Sequence, residues 1–396
     1  MPAPDQPAPF DPYDPLGIDD LLTVEDLAVR DTVRAWAADR VLPDVAHWYE
    51  QGELPGIREL ARELGDIGAL GMSLEGYGCA GASAVQYGLA CLELEAADSG
   101  IRSLVSVQGS LAMYAIHRYG SEEQRQRWLP DMAAGRTIGC FGLTEPDHGS
   151  DPAGMRTRAR RDGSDWVLTG RKTWITNGSV AGVAVVWART DEGIGGFLVP
   201  TDTPGFAAPE IKHKWSLRAS VTSELVLDEV RLPADAVLPG ARGLRAPLGC
   251  LNHARYGIVW GAMGAARTCF ASALEYARTR VQFDRPIGGF QLTQAKLADM
   301  AVELHKGVLL AHHLGRRMDA GTLRPEQVSF GKLNNVREAI EICRTARTVL
   351  GANGISLEYP VMRHATNLES VLTYEGTVEM HQLVLGKALT GLDAFR

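Results

Sequence analysis

Apolar residues recur three and four positions apart over the first third and the last two fifths of the chain, and between those stretches the texture changes to short apolar runs. Leu27, Val33, Trp36 and Val41 mark one amphipathic helix, and Leu60, Leu64, Ile67 and Leu70 mark another. Residues 85–96 and 103–119 predict two more. Asp98-Ser99-Gly100 separates them and can cap the second. A helical bundle over residues 23–137 results. Ahead of it, residues 1–22 read as an extended arm, with six prolines in the first twenty positions. Between 138 and 242, β-favouring runs at 165–168, 172–176, 183–189, 196–200 and 222–227 are punctuated by Gly, Pro and Asn and predict a small β domain. Over 243–396 the helical period returns. Leu292, Met300, Leu304, Val308 and Ala311 keep one face, and Val336, Ile340, Cys343 and Leu350 keep another until Gly351-Ala352-Asn353-Gly354 stops the helix. The chain is therefore mainly α with a β domain in the middle, and it contains no internal repeat.

Composition narrows what such a chain does. At 396 residues, with 45% hydrophobic and 22% charged, it can bury a large core and is not of disordered composition. A net charge of −8 without Lys/Arg clusters argues against nucleic acid or an anionic membrane as the main partner. The longest uncharged apolar run, residues 256–266, falls well short of the ~20 residues that cross a bilayer. No Arg or Lys precedes Arg30, so neither a secretory signal nor a mitochondrial transit peptide fits, and a cytoplasmic location is expected. Six scattered cysteines without a Cys-x-x-Cys pair suggest buried thiols, and His305, His312 and His313 lack the carboxylates or cysteines that would complete a metal site.

Near the C-terminus, Tyr374-Glu375-Gly376-Thr377 precedes a helical pattern at Met380, Leu383, Val384 and Ala388, so Glu375 stands on the turn entering a helix and Thr377 is placed to cap it. A carboxylate at a helix start is by itself good capping. Gly376 frees the backbone beside it, and three other segments give it chemical company. Residues 141–151, Phe-Gly-Leu-Thr-Glu-Pro-Asp-His-Gly-Ser-Asp, offer N–H and hydroxyl groups to something flat and polar-edged, such as a flavin. Trp174-Ile175-Thr176 pairs an indole with a hydroxyl. In Arg280-Val-Gln-Phe-Asp-Arg-Pro-Ile-Gly-Gly-Phe-Gln291, Arg280 can pair with a pyrophosphate, Phe283 can pack on adenine and Gln291 can bond the same dinucleotide. No Gly-x-Gly-x-x-Gly follows a strand, so a nicotinamide site of the Rossmann type is not indicated and a dinucleotide is expected in a helix cleft.

Taken together, residues 141–151, 174–176, 280–291, 351–354 and 374–377 resemble the flavin-binding and catalytic motifs of the acyl-CoA dehydrogenases in order and spacing, from about residue 23 to the C-terminus. The resemblance implies an N-terminal helical domain, a middle β-barrel or sandwich and a C-terminal four-helix bundle, with non-covalent FAD in a homotetramer and an electron-transferring flavoprotein as acceptor. It places Phe141, Leu143, Thr144, Ser150, Trp174, Ile175 and Thr176 around the flavin. Arg280, Phe283 and Gln291 would hold its dinucleotide, with Thr377 and Glu379 near the C-terminal turn. Thr348, Gly351 and Ala352 would touch the FAD of a neighbouring subunit, although many relatives have Gln and Gly at positions 348 and 352. Glu375 is implied as the base, since the alternative position before an Arg, in His253-Ala254-Arg255, is held by an alanine.

A narrower likeness is to the glutaryl-CoA dehydrogenase branch. It rests on residues 95–106, on 248–257 and on Tyr374 directly before Glu375. Arg102 and Ser106 are four apart on one helix and can clamp a carboxylate at the far end of an acyl chain. The likeness places Glu95, Ser103, Ser150, Leu248, Asn252, Arg255, Tyr374 and Gly376 against the substrate as well. The implied reaction is oxidative decarboxylation of glutaryl-CoA to crotonyl-CoA. The alternatives are a short-chain acyl-CoA dehydrogenase, or a glutaryl-CoA enzyme that does not decarboxylate.

Overall fold

The computed structural model describes residues 10–394. In its N-terminal third, α1 (Val24–Arg40), α2 (Val45–Gln51), α3 (Ile57–Asp66), α4 (Ala84–Ala97), α5 (Ser99–Ser106), α6 (Tyr114–Tyr119) and α7 (Glu122–Ala133) pack together. Local signals set their ends. Thr23 and Asp26 form a reciprocal capping box on α1, and Asp98 accepts from the Gly100 N–H at 2.7 Å to start α5. The predicted helix over 103–119 runs instead from Ser99 and widens into a π-helical stretch at Val107–Met113 between α5 and α6. The extended arm is corrected over its described part: residues 10–17 form turns, the Asp14 carboxylate accepts from the Ile18 and Asp19 N–H groups, and Ile18–Leu21 is a 3-10 turn. Residues 1–9 of the expected arm lie outside the described residues.

The middle of the chain is a curled sheet of β1 (Gly139–Gly142), β2 (Arg158–Asp162), β3 (Asp165–Thr176), β4 (Val183–Thr190), β5 (Gly193–Pro200), β6 (Phe206–Ala207) and β7 (Thr222–Leu232). β1 pairs in parallel with β4, and the β2–β3, β3–β7, β4–β5 and β6–β7 pairs are antiparallel. The two runs expected at 165–168 and 172–176 are one strand, β3, whose register against β7 slips at Leu168/Gly170 and again at Lys172/Ile175. β4 explains its own apolar run. Val183, Val185 and Trp187 face a core shared with helical residues such as Leu111 and Met113, while Ala184, Val186 and Ala188 face a core inside the sheet with Trp166 and Phe197.

The remainder is helical: α8 (Arg245–Thr279), a short hairpin of β8 (Val281–Gln282) and β9 (Arg285–Pro286), then α9 (Gln291–Asp319), α10 (Pro325–Val349), α11 (Val361–Thr373) and α12 (Val378–Thr390). α8 is the spine, buried against α4 on one side through Tyr256, Val259 and Trp260 and against α10 on the other through Ala262, Ala266 and Cys269. α4 is enclosed on nearly every face, with all its residues but Gln86 buried and its two carboxylates, Glu93 and Glu95, ion-paired inside. Among the described residues no helix is long and apolar enough to cross a membrane.

Candidate active site

The turn carrying Glu375 is short and constrained. α11 ends as the Tyr374 N–H bonds to Ser370 O at 2.9 Å, and α12 begins as the Thr377 hydroxyl accepts from the Met380 N–H at 3.4 Å, the cap the sequence predicts. Between them Glu375 has φ 54° and Gly376 φ 107°. A non-glycine residue in the left-handed region costs ~1–3 kcal/mol and persists only where its surroundings over-determine it. Here two cations do so. Lys332 Nζ donates to the carbonyls of Tyr374 at 2.6 Å and Gly376 at 2.7 Å, and Arg255 Nε donates to that of Glu375 at 2.6 Å. Arg255 is itself oriented by Asn252 Oδ1 at 2.9 Å. Gly376 is required twice over, by its φ and because a Cβ there would lie 2.9 Å from His381 Nε2.

What this turn presents is a carboxylate and an amide, both unengaged. Glu375 Oε2 is buried without a hydrogen-bond partner, and among the described residues the Glu375 N–H donates to none. Burial pushes the carboxyl above its ordinary range, while Arg102, Lys332 and Arg255 pull it back. Lys332 is displaced the opposite way, drawn down by burial against the attraction of Glu375.

Next to the turn lies an ion pair sealed from solvent. Glu95 on α4 is 0% exposed and Arg102 on α5 is 1% exposed; Arg102 Nε meets Glu95 Oε2 at 2.6 Å, and the Ser99 hydroxyl donates to Glu95 Oε1 at 2.8 Å. The Arg102 Nη2 group donates to the Tyr374 hydroxyl, so the pair is wired to the residue preceding Glu375. Burial opposes the Arg102 cation, yet Glu95 and Tyr374 hold it firmly charged. Gly261 of α8 makes the room, since a Cβ there would stand 2.1 Å from Glu95 Oε2. The hydroxyls of Ser103 and Ser106 are buried without a hydrogen bond of ordinary geometry, Ser103 beside Tyr374 and Ser106 beside Tyr87. Leu248, near the start of α8, is part-exposed.

The segment expected to hold a flavin is pinned from beneath. Phe141 and Leu143 are buried and Thr144 half-buried, while Ser150 stands exposed. Glu145 accepts from the N–H groups of Arg156 at 2.6 Å and Thr157 at 2.9 Å and from Lys172 Nζ at 2.8 Å; Lys172 also reaches Leu143 O. Burial opposes the Glu145 anion, but the Arg156 N–H and Lys172 hold its carboxyl at about 2. Trp174 sits at the second slip of β3 with φ 60°, which turns its indole outward to 61% exposure, while Ile175 is buried and Thr176 half-buried beside it.

The remaining predicted residues lie elsewhere. Phe283 and Asp284, at φ 53° and 63°, form the two-residue turn of the β8–β9 hairpin; Phe283 is 89% exposed, and Arg280 and Gln291 flank the hairpin in the open. The expected helix cleft is therefore an exposed hairpin within one chain. Thr348, Gly351 and Ala352 are exposed at the same end, tied there by Lys296 Nζ to the Thr348 hydroxyl at 3.3 Å and Asn353 Nδ2 to the Tyr276 hydroxyl at 3.1 Å. Lys332 and Thr348 are sixteen residues apart on α10, about 24 Å at ~1.5 Å per residue. One chain thus brings together Glu95, Arg102, Tyr374, Glu375, Gly376, Asn252 and Arg255 and keeps Arg280, Phe283, Gln291, Thr348, Gly351 and Ala352 at a distance. Glu379 is exposed on the first turn of α12.

Sequence reasoning missed three residues: Lys332 and His381 at the turn and Gly261 beside the buried ion pair. Lys332 carried a signal, because it lies four positions before Val336 on the apolar stripe of α10, where a lysine needs a reason. Gly261 and His381 carried none, since their roles depend on neighbours remote in the chain.

Comparisons with known proteins identify the family. Sequence models described as the acyl-CoA dehydrogenase N-terminal, middle and C-terminal domains match residues 23–136, 140–230 and 241–390. The mitochondrial short-chain specific acyl-CoA dehydrogenase of Homo sapiens is 34% identical over 362 residues, 89% of this chain and 87% of that protein. A solved structure of glutaryl-CoA dehydrogenase from Mycobacterium smegmatis is 74% identical with a TM-score of 0.96, over 97% of this chain and 99% of that one. A second, a glutaryl-CoA dehydrogenase from the same organism in complex with FADH2, is 64% identical with a TM-score of 0.96, over 98% and 100%. Matched domain by domain in the order helices, sheet, helices, and related to a curated member over most of both lengths, the chain belongs to the acyl-CoA dehydrogenase family.

Proposed function

We propose that the protein is an FAD-dependent glutaryl-CoA dehydrogenase that oxidises the Cα–Cβ bond of its substrate and releases the terminal carboxylate as carbon dioxide. The observation that carries the reading is the buried Arg102, joined through the Tyr374 hydroxyl to the turn that presents Glu375. Glu95 occupies the Nε side of its guanidinium, and among the described residues Nη1 makes no hydrogen bond, which leaves a fixed donor for the carboxylate of a dicarboxylic acyl chain. The names of the two mycobacterial structures support the same substrate. The residues present also suit FAD, with the outward indole of Trp174, the Thr176 hydroxyl and, at the other end of the chain, Arg280 and Phe283. Because Lys332, at the Glu375 turn, and Thr348, at the end of the helix near the hairpin, are about 24 Å apart along α10, a complete dinucleotide site would draw on a second copy, in keeping with a homotetramer.

Glu375 takes the proton from the substrate Cα. Its Oε2 is free to do so, and burial gives the carboxylate the added basicity the step needs. The unengaged Glu375 N–H is placed to donate to the thioester oxygen, where negative charge builds as that proton leaves. When bound, FAD would supply the oxidant for the hydride equivalent lost from Cβ. In the enoyl thioester so formed, the carboxylate on Cγ departs as carbon dioxide because the electron pair it leaves is delocalised into the thioester; Cγ then takes up one proton to give crotonyl-CoA. An electron-transferring flavoprotein is the acceptor that fits the family. The test is anaerobic mixing of the holoenzyme with glutaryl-CoA, following the flavin absorbance and the products. Bleaching with crotonyl-CoA and carbon dioxide is expected. Faster bleaching by butyryl-CoA would favour the short-chain reading that the human relative suggests, and accumulation of the unsaturated dicarboxylic thioester would remove the decarboxylation step.

A further inference from the structure

We infer that Lys332 is a positioning residue for the base: from the buried face of α10 it grips the two carbonyls that flank Glu375 and so fixes the turn that aims the carboxylate. The inference rests on the reading of Glu375 as the base. Lys332 is 2% exposed, on a stripe with Val328, Val336 and Ala339, where methionine or leucine would fill similar space without burying a charge. Its two hydrogen bonds go to main-chain oxygens of a single turn rather than to a carboxylate. Those oxygens follow the end of α11 and precede α12, so neither helix can satisfy them, and the left-handed conformation of Glu375 between them is unfavourable unless held. Arg255 holds the carbonyl in between, so three successive oxygens are fixed by donors from two helices.

The ammonium also sets the charge around the base. Facing it are Glu375 and the Tyr374 ring, 5.9 Å away, from the turn, Arg255 from α8, Arg102 from α5 and His381 from α12, whose imidazole burial and the nearby Lys332 and Arg255 hold neutral at about 3. Lys332 is thus one of three cations that favour the ionised carboxylate, and the only one of the three bonded on both sides of it. Removing it should loosen the turn and move the carboxyl of Glu375 upward.

The experiment compares Lys332→Met, Lys332→Gln and Glu375→Gln with wild type as FAD-loaded enzymes. It reads kcat and kcat/KM against pH, binding of a non-oxidisable acyl-CoA analogue, and hydrogen exchange of the peptide spanning 374–377. Lys332→Met is expected to keep FAD and bind the analogue with little change, to lose about 10²-fold in kcat through misplacement of the base, to shift the acid limb of kcat/KM to higher pH, and to exchange faster at the turn. Lys332→Gln, which keeps a donor without the charge, should recover part of the rate and protection with the acid limb still displaced. If Lys332→Met does not fold, Lys332→Gln decides by the same readouts. Wild-type rate, acid limb and exchange in the folded Lys332 variants, with Glu375→Gln inactive, would overturn the role of Lys332 alone. Activity in Glu375→Gln would overturn the base itself, and this inference with it.

Discussion

Replacing Arg102 by alanine does two things at once, and the geometry says how to separate them. Glu95 is fully buried and depends on Arg102 for its counter-charge, so truncating one partner leaves an uncompensated anion and costs ~3–5 kcal/mol of stability. Independently, if the guanidinium bonds the ω-carboxylate of glutaryl-CoA, its loss costs ~2–5 kcal/mol in transition-state binding. At ~1.4 kcal/mol per tenfold, that is about 30-fold to several thousand-fold in kcat/KM. Butyryl-CoA has no such charge and should lose far less. The double replacement Glu95→Leu with Arg102→Met removes the orphaned anion, and exchanging a buried pair for apolar residues of similar size is often neutral or stabilising. The assay is kcat/KM for both thioesters beside thermal denaturation of the holoenzyme. The double variant should recover its melting temperature and its butyryl-CoA activity while the loss on glutaryl-CoA persists. If glutaryl-CoA activity returns with the melting temperature, Arg102 is structural and the clamp reading fails.

Glu375→Gln should keep FAD and thioester binding but slow flavin reduction by at least the ~10²–10⁴-fold typical of a lost general base, as stopped-flow would record. Because burial raises the Glu375 carboxyl, wild-type kcat/KM should climb with pH through a midpoint above the ordinary ~4.3 of a glutamate; a midpoint at that value would contradict the desolvated setting. Gly261→Ala forces a Cβ to within 2.1 Å of Glu95 Oε2, so a loss of ~1–3 kcal/mol in thermal denaturation is expected together with a smaller preference for glutaryl-CoA over butyryl-CoA, and no change in either would show that the pair tolerates the methyl. Arg280→Ala should weaken FAD retention during gel filtration while leaving the melting of the FAD-free protein unchanged, since the side chain is exposed; full retention would remove Arg280 from the dinucleotide site.

What the sequence determined by itself was whatever depends on neighbours along the chain. Helical period, the cap at Thr377, the helix stop at residues 351–354 and the apolar run over residues 183–189 are local, and each has its counterpart in the structure. The turn at Glu375 was legible for the same reason, being a carboxylate and a glycine immediately before a capped helix. Tertiary structure decided which distant residues meet. Nothing in residues 165–176 tells that Gly170 and Trp174 belong to one slipping strand, because a register exists only against a partner, here β7. Arg102 was visible as a cation, but its engagement by Glu95 and Tyr374 required α4, α5 and the end of α11 to be packed together. Lys332, 43 residues before Glu375, could join the site only when α10 was laid beside the turn. A buried charge is tolerated only where acceptors converge on it, and that convergence is a property of packing, which no local pattern encodes.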